Sequence, residues 1–256
     1  MKACHSAILV ILMAVCCRAR DSTLACDNDA LRNLPGDPTA VDLISRGELC
    51  AIAAAGNSKD PKYIFDLKRV KKSNRELSGD YHANSAEVAQ MALAKLGVEE
   101  DLFEIECEIQ PKAKKEVRLY AIRDKLAYVG GWFAIHLATE MLADNDQNKE
   151  NLSWSDDYRV EWHPRKLAII ILPAILGPEL NSEPRDRFGL AEPGFEKFKK
   201  LTEEQVIDGW HSWILNHEGL LNGLEPTGEA VRYSEERCTK YLRGQKALVQ
   251  SGSGNP

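Results

Sequence analysis

The sequence lacks the short motifs that assign the commonest catalytic mechanisms. It contains no Gly-x-Ser-x-Gly element for a serine nucleophile, no His-Glu-x-x-His zinc-protease helix and no glycine-rich phosphate-binding loop. A Cys-x-x-Cys element is also missing, so neither a zinc ribbon nor a thioredoxin-type redox site is indicated. Internal repeats and low-complexity linkers are absent as well, which favours one domain.

An excess of positive charge is absent too. The chain has 33 Lys and Arg residues against 39 Asp and Glu residues, and its formal net charge is −6 at pH 7. Non-specific binding to nucleic acids depends mainly on the neutralisation of phosphates by cationic side chains. The composition therefore gives no strong signal for a nucleic-acid partner.

The N-terminus has the three-part pattern of an export signal. Met1 and Lys2 form a short positive region, and residues 6–17 form an uncharged apolar run that is too short to span a bilayer as a helix. Small residues allow cleavage after about residues 17–25. We therefore predict a signal peptide over residues 1–25 and a secreted or periplasmic mature chain without a transmembrane span. An uncleaved N-terminal anchor is the alternative.

Four of the seven cysteines remain once such a leader is removed, namely Cys26, Cys50, Cys107 and Cys238. Four cysteines allow three pairings, and their spacing does not choose among them. Exported proteins fold in oxidising compartments, where disulfides form and persist. We therefore expect two disulfides in the mature chain, with four buried free thiols as the alternative.

An antiparallel sheet with hairpins is predicted for the N-terminal half. One pair of candidate strands is separated by a run dense in turn formers, and the other pair alternates apolar with polar or charged side chains. The predicted strands are residues 48–55, 63–70, 103–108 and 117–122. Helices are expected at residues 37–44 and 85–96, the second of them ending at Gly97.

The C-terminal half is predicted to be mainly helical. Residues 126–143 form an almost wholly apolar helix, which a globular protein places at its centre. Residues 158–176 alternate at first and then become an apolar run over residues 168–172 that predicts a buried strand closed by Pro173, although a helix fits the same run.

Two further helices are predicted near the C-terminus. Residues 202–215 begin with a capping box, because Thr202 is followed three residues later by Gln205. The last helix is expected over residues 228–242. The fold class is therefore an α+β domain over residues 26–245, with the N-terminal sheet packed on the helical half and a disordered tail over residues 246–256.

A polar pair interrupts the apolar central helix. His136 and Glu140 lie one turn apart, and Trp132 lies one turn before them, so the three share one stripe of the helix. An ionisable pair on such a helix is costly unless each member has a partner. We expect His136 to be largely buried beside Glu140, either as a catalytic pair lining a cleft or as a self-satisfied hydrogen bond within the core.

A second group of candidates lies on the helix that follows the capping box. Asp208 and His211 are three residues apart and can form a hydrogen bond on one helix face. Trp210 and Trp213, together with Trp132, offer flat surfaces for a ligand, although tryptophans at helical spacing usually belong to the core. If the two helices converge, His136, Glu140 and His211 could hold a divalent metal.

A third pattern resembles the metal-binding hairpin of restriction-endonuclease-like nucleases. Glu48 on the first predicted strand, with Asp66 and Lys68 on the second, would hold Mg²⁺ and position water. The pattern is short and conflicts with the acidic charge and with export. A solvated strand face is therefore favoured, and Asp66 and Lys68 are predicted to be dispensable.

The sequence leaves two main classes of function open. The first is a hydrolase-like enzyme whose catalytic residues are His136, Glu140, Asp208 and His211. The second is a non-catalytic exported binding or interaction protein in which these residues are structural. A Mg²⁺-dependent nuclease is a weaker alternative. Convergence of the predicted residues in one site favours the enzyme, and their dispersal favours the binding protein.

Overall fold

The chain is described by a computed structural model that covers residues 1–256. The residues that the structure describes are 26, 35–73, 84–113, 115–143, 150–155, 158–162, 165, 167–176, 201–226 and 235–252. The predicted signal peptide over residues 1–25 lies outside them. Among the described residues, no helix is both long enough and apolar enough to cross a membrane.

The backbone forms two compact units, residues 1–92 and 93–256. In the first unit the described elements are helical: α1 (Asp37–Ser45), α2 (Leu49–Asn57), a 3₁₀ turn (Pro61–Tyr63), α3 (Ile64–Ser73) and most of α4 (Ser85–Lys95), which crosses into the second unit. The predicted helices at residues 37–44 and 85–96 are confirmed. The predicted hairpin of residues 48–55 and 63–70 is wrong, because both segments are helices.

Alanine explains why α2 is a helix. Residues 51–56 are all buried, so the segment shows no polar face from which a helical period could be read. Alanine has the highest helix propensity and loses no side-chain entropy in a helix, and four of these six residues are alanines. A buried apolar run of this composition therefore favours a helix over a strand.

The second unit overturns the other predicted hairpin. Residues 103–108 belong to α5 (Glu99–Glu108), and residues 117–122 belong to α6, which runs as three consecutive stretches: Lys115–Tyr120, a π-helical stretch Ala121–Leu126, and Ala127–Val129. Every residue of α5 from Asp101 to Glu108 is buried, including four acidic side chains. The alternation of charged and apolar residues is thus not the signature of a half-exposed strand. The α+β class with an N-terminal sheet is therefore wrong, and the described chain is mainly helical.

The predicted central helix is divided at a glycine pair. Gly130 and Gly131 both have φ of +66°, so α6 ends there and α7 (Gly131–Ala143) begins. The backbone N–H groups of Trp132 and Phe133 donate to the carbonyl oxygens of Leu224 and Pro226, at 2.9 and 3.2 Å. These hydrogen bonds satisfy helix-terminal donors that have no partner within the helix. The start of α7 is thereby fixed against the 224–226 segment, one turn before His136.

Gly131→Ala is expected to lower the free energy of unfolding by about 3 kcal/mol. A Cβ atom at this position would lie 2.5 Å from Glu225 C and Pro226 N, and φ is already in the left-handed region. Backbone atoms cannot move aside as a flexible side chain can. Chemical denaturation measures the change, with Gly219→Ala as the control, because nothing lies within 4 Å of a Cβ there. Equal stability of the two variants would contradict this account of the glycine.

The remaining elements of the second unit are a hairpin and helices. Strands β1 (Glu150–Ser155) and β2 (Tyr158–Trp162) pair in an antiparallel manner. Residues 167–176 are helical (α8), so the strand predicted at residues 168–172 is wrong. Helices α9 (Glu203–Leu221) and α10 (Glu235–Gly252) complete the unit.

The bounds of the two C-terminal helices agree only in part with the predicted ones. The capping box of Thr202 and Gln205 is present at the start of α9, which confirms that prediction, and the helix continues to Leu221. Residues 228–234 of the last predicted helix lie outside the described residues, and α10 (Glu235–Gly252) reaches into the segment predicted as a tail.

Two disulfides are present, as predicted. Cys26 bonds to Cys50 in the first unit, and Cys107 of α5 bonds to Cys238 of α10 in the second. Both bonds have the short Cα separations that an unstressed bridge requires, 5.6 and 5.1 Å. They are typical of proteins that fold in an oxidising compartment.

The core of the second unit forms around α7. Apolar side chains of α5, α6, α7, α8 and α9 bury one another in one cluster, whose largest fully enclosed member is Trp210. Helix α7 is apolar on most of its circumference and therefore lies between its neighbours. Its His136 side is the part that reaches the surface of this core.

Candidate functional site

His136 and Glu140 meet on α7, as the one-turn spacing predicts. The imidazole Nε2 lies 3.4 Å from a carboxylate oxygen of Glu140. The side chain of His136 is 44% exposed and that of Glu140 is 62% exposed. The prediction that His136 is largely buried is therefore wrong, because the stripe they occupy is the side of α7 that meets solvent.

Trp132 lies one turn before His136 and packs beside it. The ring centroids are 5.9 Å apart with an angle of 38° between the planes. Trp132 is partly buried and rests against the core cluster. The tryptophan therefore restricts His136 from one side, while Glu140 holds it from the other.

Glu106 of α5 completes the group, and sequence reasoning did not identify it. Its side chain is 5% exposed, and its Oε2 atom makes no hydrogen bond to any described residue. Buried carboxylate oxygens without a hydrogen-bond partner are rare because they lose their hydration without replacement. Glu106 also lies close enough to His136 and Glu140 for their charges to act on it.

The surroundings of Glu106 and His136 raise the pKa of both groups. Burial and, to a smaller extent, the negative charge of Glu140 raise the pKa of Glu106 to about 7, while His136 opposes them. The hydrogen bond to Glu140 raises the pKa of His136 above its ordinary value, against the opposing effect of burial. The negative charges of Glu140, Glu106 and Glu218 stabilise the imidazolium as well. Both groups therefore hold their protons to a higher pH in the fold than they do in the unfolded chain.

Glu106→Gln is expected to make the protein more stable than the natural chain above pH 7 and equally stable near pH 4. The pKa of Glu106 is raised from 4.5 in the unfolded chain to about 7 in the fold. Its contribution to stability is therefore fully present below pH 4.5 and is lost as the pH rises to about 7. The variant keeps a neutral side chain, so the difference at pH 8 should approach about 2 to 3 kcal/mol.

Denaturation between pH 4 and 8 checks this dependence, with Glu99→Gln as the control at an exposed position of the same helix. The raised pKa of His136 acts in the same direction, so some loss of stability with rising pH should remain in Glu106→Gln. A natural protein whose stability rises from pH 5 to pH 7 would contradict the position of Glu106.

On α9 the acidic neighbour of His136 is Glu218, near the C-terminal end of the helix. His217 precedes it and stacks on Trp213, with ring centroids 4.2 Å apart, and its Nδ1 lies 2.8 Å from the carbonyl oxygen of Trp213. These contacts fix the imidazole against its own helix. Glu218 is exposed and adds negative charge to the surroundings of His136.

The other candidates on α9 do not join this group in the way that was predicted. Asp208 is exposed and His211 is half-buried, and no hydrogen bond joins these two described residues. Within the described parts of the chain, no group of three or more His, Cys, Asp and Glu side chains could hold a metal ion. His136, Glu140 and His211 are therefore not arranged as a metal site there.

The tryptophans of α9 belong to the core. Trp210 is fully buried, and Trp213 packs against it edge to face, with centroids 6.3 Å apart. A ring without exposed surface offers no platform to a ligand, so the core role weighed for these two residues is the one that their burial supports. Of the three candidate ligand-binding tryptophans, only Trp132 touches the His136 group.

The nuclease-like pattern loses its structural basis. Glu48 immediately precedes α2, while Asp66 and Lys68 lie on α3, so they do not share a hairpin. Asp66 is 3.4 Å from Arg69, one turn away, and Lys68 is exposed. The pattern therefore does not form the carboxylate pair that Mg²⁺ would need.

The group on α5 and α7 is thus built from Glu106, His136 and Glu140, with Trp132 and Glu218 beside it. Glu106 is enclosed and His136 is open to solvent, and the charge of each acts on the pKa of the other. No protein-family model, curated protein sequence or solved structure matches this chain.

Proposed function

We propose that the chain is an exported, disulfide-bonded helical protein whose second unit carries out hydrolase-like acid–base chemistry. The observation that carries the proposal is the buried carboxyl of Glu106, with an oxygen that makes no hydrogen bond to any described residue, together with its electrostatic interaction with the exposed His136–Glu140 pair. The export part is supported by the leader pattern of residues 1–25 and by the two disulfides.

Glu106 is suited to act as the general base. A base works best when its pKa lies near the operating pH, and burial brings the pKa of Glu106 to about 7. An ordinary carboxylate is a much weaker base.

His136 is suited to act as the general acid. Glu140 orients the imidazole and favours its protonated form. In the proposed step, Glu106 takes a proton from water, the hydroxide oxygen bonds to the electrophilic atom of the substrate, and the leaving group departs with its electron pair. The leaving group then receives a proton from His136, and the proton held by Glu106 returns to His136 through solvent.

The surrounding charge restricts the substrate. Glu140 and Glu218 are exposed carboxylates beside His136, so a phosphate or sulfate group would meet repulsion. Neutral or cationic substrates fit this environment better. Trp132 supplies an apolar wall next to the acid.

Hydrolysis of neutral fluorogenic esters, glycosides and peptide amides between pH 5 and 8 tests the proposal. Glu106→Gln and His136→Gln are each expected to reduce the rate by about 100-fold or more. Glu99→Gln, which removes an exposed carboxylate from the same helix, should leave it unchanged. Absence of hydrolysis across the panel, or full activity of Glu106→Gln, would reject the enzyme.

A non-catalytic binding protein is the second candidate, and the lack of a grouping of His136, Glu140 and His211 among the described residues favours it. A second observation that favours it is the exposure of Leu215 and Leu220 on α9, the helix that also carries Glu218. Leu215 lies one turn before Glu218, so an exposed apolar side chain and a charged group share one side of the helix, as in a contact surface for a partner. If the chain is a binding protein, the esters, glycosides and peptide amides are not cleaved. Leu215→Ser then reduces association with the partner without changing the titration of Glu106.

A further inference from the structure

Helix α3 in the first unit presents one continuous exposed face. Leu67 and Val70 are buried, and successive residues are separated by about 100° around the helix axis. Four exposed side chains of the helix therefore share the opposite side. They are Phe65, Lys68, Arg69 and Lys72, and we call them the α3 face.

Phe65 lies near the start of α3, at the middle of the arc that the α3 face covers around the helix axis. By helix geometry Lys68 and Arg69 flank it, at about 60° and 40° on either side, and Lys72 lies two turns further along in nearly the same direction. The phenyl side chain is 74% exposed, more than any other large apolar residue among those described. A flat surface laid against α3 would therefore meet the ring near the start of the helix and the three cations along the rest of it.

The charge of the α3 face is positive although the whole chain is acidic. The only acidic residue of α3 is Asp66, which lies at the edge of the face, is partly buried and contacts Arg69 at 3.4 Å. Lys68 and Lys72 have no such partner on the helix. The formal net charge of the chain is −6, so this concentration of cations on one face runs against the overall charge.

We propose that the α3 face binds the surface of an anionic phospholipid bilayer. Cationic side chains near such a surface are attracted to its negative potential, and an aromatic ring inserts at the level of the headgroups. The face is the convex outer side of a helix with one ring. Single-stranded nucleic acids instead bind in grooves that follow the backbone and offer several stacking rings. A flat bilayer therefore fits this surface better.

The expected strength is moderate and sensitive to salt. Each Lys or Arg held near an anionic membrane contributes a few-fold in partitioning, about fivefold at low ionic strength. Ring insertion contributes about tenfold more. Added salt shortens the Debye length and screens the attraction of the cations, but it leaves the contribution of the ring. Binding should therefore weaken but not vanish between about 50 and about 500 mM salt.

Co-sedimentation of the disulfide-bonded chain with vesicles tests the proposal. Vesicles of phosphatidylcholine containing about one third phosphatidylserine, a composition chosen to give a strong negative surface potential, are compared with pure phosphatidylcholine vesicles. Lys68→Gln/Lys72→Gln is expected to reduce partitioning about 30-fold and Phe65→Ala about tenfold. Lys240→Gln/Arg243→Gln removes the same charge from exposed positions of α10 and should reduce it little.

The outcomes separate the proposal from its alternatives. Selective binding to the anionic vesicles that both α3 variants lose and the α10 variant keeps is the expected result. Equal losses in the α3 and α10 charge variants would mean general electrostatics and would overturn the assignment. So would no binding at 50 mM salt, or tighter binding to a single-stranded oligonucleotide than to vesicles. Unchanged thermal unfolding of each variant excludes misfolding, as expected for exposed positions.

Discussion

Replacing Cys107 and Cys238 together by serine is expected to lower the free energy of unfolding by about 5 kcal/mol. The bond joins residues 131 positions apart, so its loss frees a very large loop in the unfolded chain. Both sulfur atoms are buried beside Phe103 and Tyr241. The loss is large against the total stability of a typical domain, about 5 to 15 kcal/mol.

The bond also holds α10 to α5. Apart from the disulfide, α10 is joined by the hydrogen bond from Tyr241 Oη to Glu108, at 2.8 Å, and by an exposed ion pair between Lys112 and Glu235. The guanidinium of Arg237 lies 4.3 Å from the ring centroid of Phe103. The ion pair is exposed and therefore weak, so we expect α10 to become the first element to detach in the serine variant.

Urea denaturation of the double serine variant measures the loss, and hydrogen exchange measures detachment of α10. The matched control replaces Cys26 and Cys50, whose separation of 24 residues predicts a smaller loss of about 3.5 kcal/mol. A smaller loss of stability on removing the Cys107–Cys238 bond than on removing the Cys26–Cys50 bond would show that the entropy of the unfolded chain is not the main source of the stabilisation.

Local chemical signals predicted the helix ends well. Pro38 after Asp37 marks the start of α1, Gly97 follows the end of α4 with φ of +78°, and Thr202 with Gln205 caps α9. These signals depend on backbone geometry and hydrogen bonds between near neighbours. Tertiary contacts do not change them, which is why the sequence alone was sufficient.

Buried helices were the elements that the sequence did not reveal. In α2 and α5 almost every side chain is enclosed, so neither shows the polar face that distinguishes a helix from a strand. In α5 the buried acidic residues alternate with apolar residues, which is the pattern expected of a strand with one solvent-exposed face. Only the partners supplied by other helices make those acids tolerable inside.

The sequence predicted only the part of the candidate site that lies on a single helix. His136 and Glu140 lie on one helix, so their spacing brings them together regardless of the rest of the fold. Glu106 lies on another helix that the sequence placed in a sheet. Its proximity to His136 depends on how α5 packs, and no local pattern encodes that packing.

Lys125→Met is expected to lower the free energy of unfolding by about 3 to 5 kcal/mol, because it removes one member of a buried ion pair. Lys125 Nζ lies 2.6 Å from Glu108 Oε2, and both side chains are almost fully enclosed. Lys125 belongs to the π-helical stretch of α6, and Glu108 ends α5. The pair therefore joins the π-helical stretch to the helix that also carries Glu106.

A double-mutant cycle separates the pair from the side chains themselves. Lys125→Met/Glu108→Leu should recover about 2 kcal/mol or more relative to Lys125→Met alone, since a buried pair replaced by apolar groups is often nearly neutral. Full recovery is not expected, because Tyr241 Oη then loses its acceptor. The measurement is urea denaturation of both single variants and the double variant at one pH. Strictly additive losses would mean that the two charges do not stabilise each other, and the attachment of α5 to the π-helical stretch would then depend on apolar packing alone.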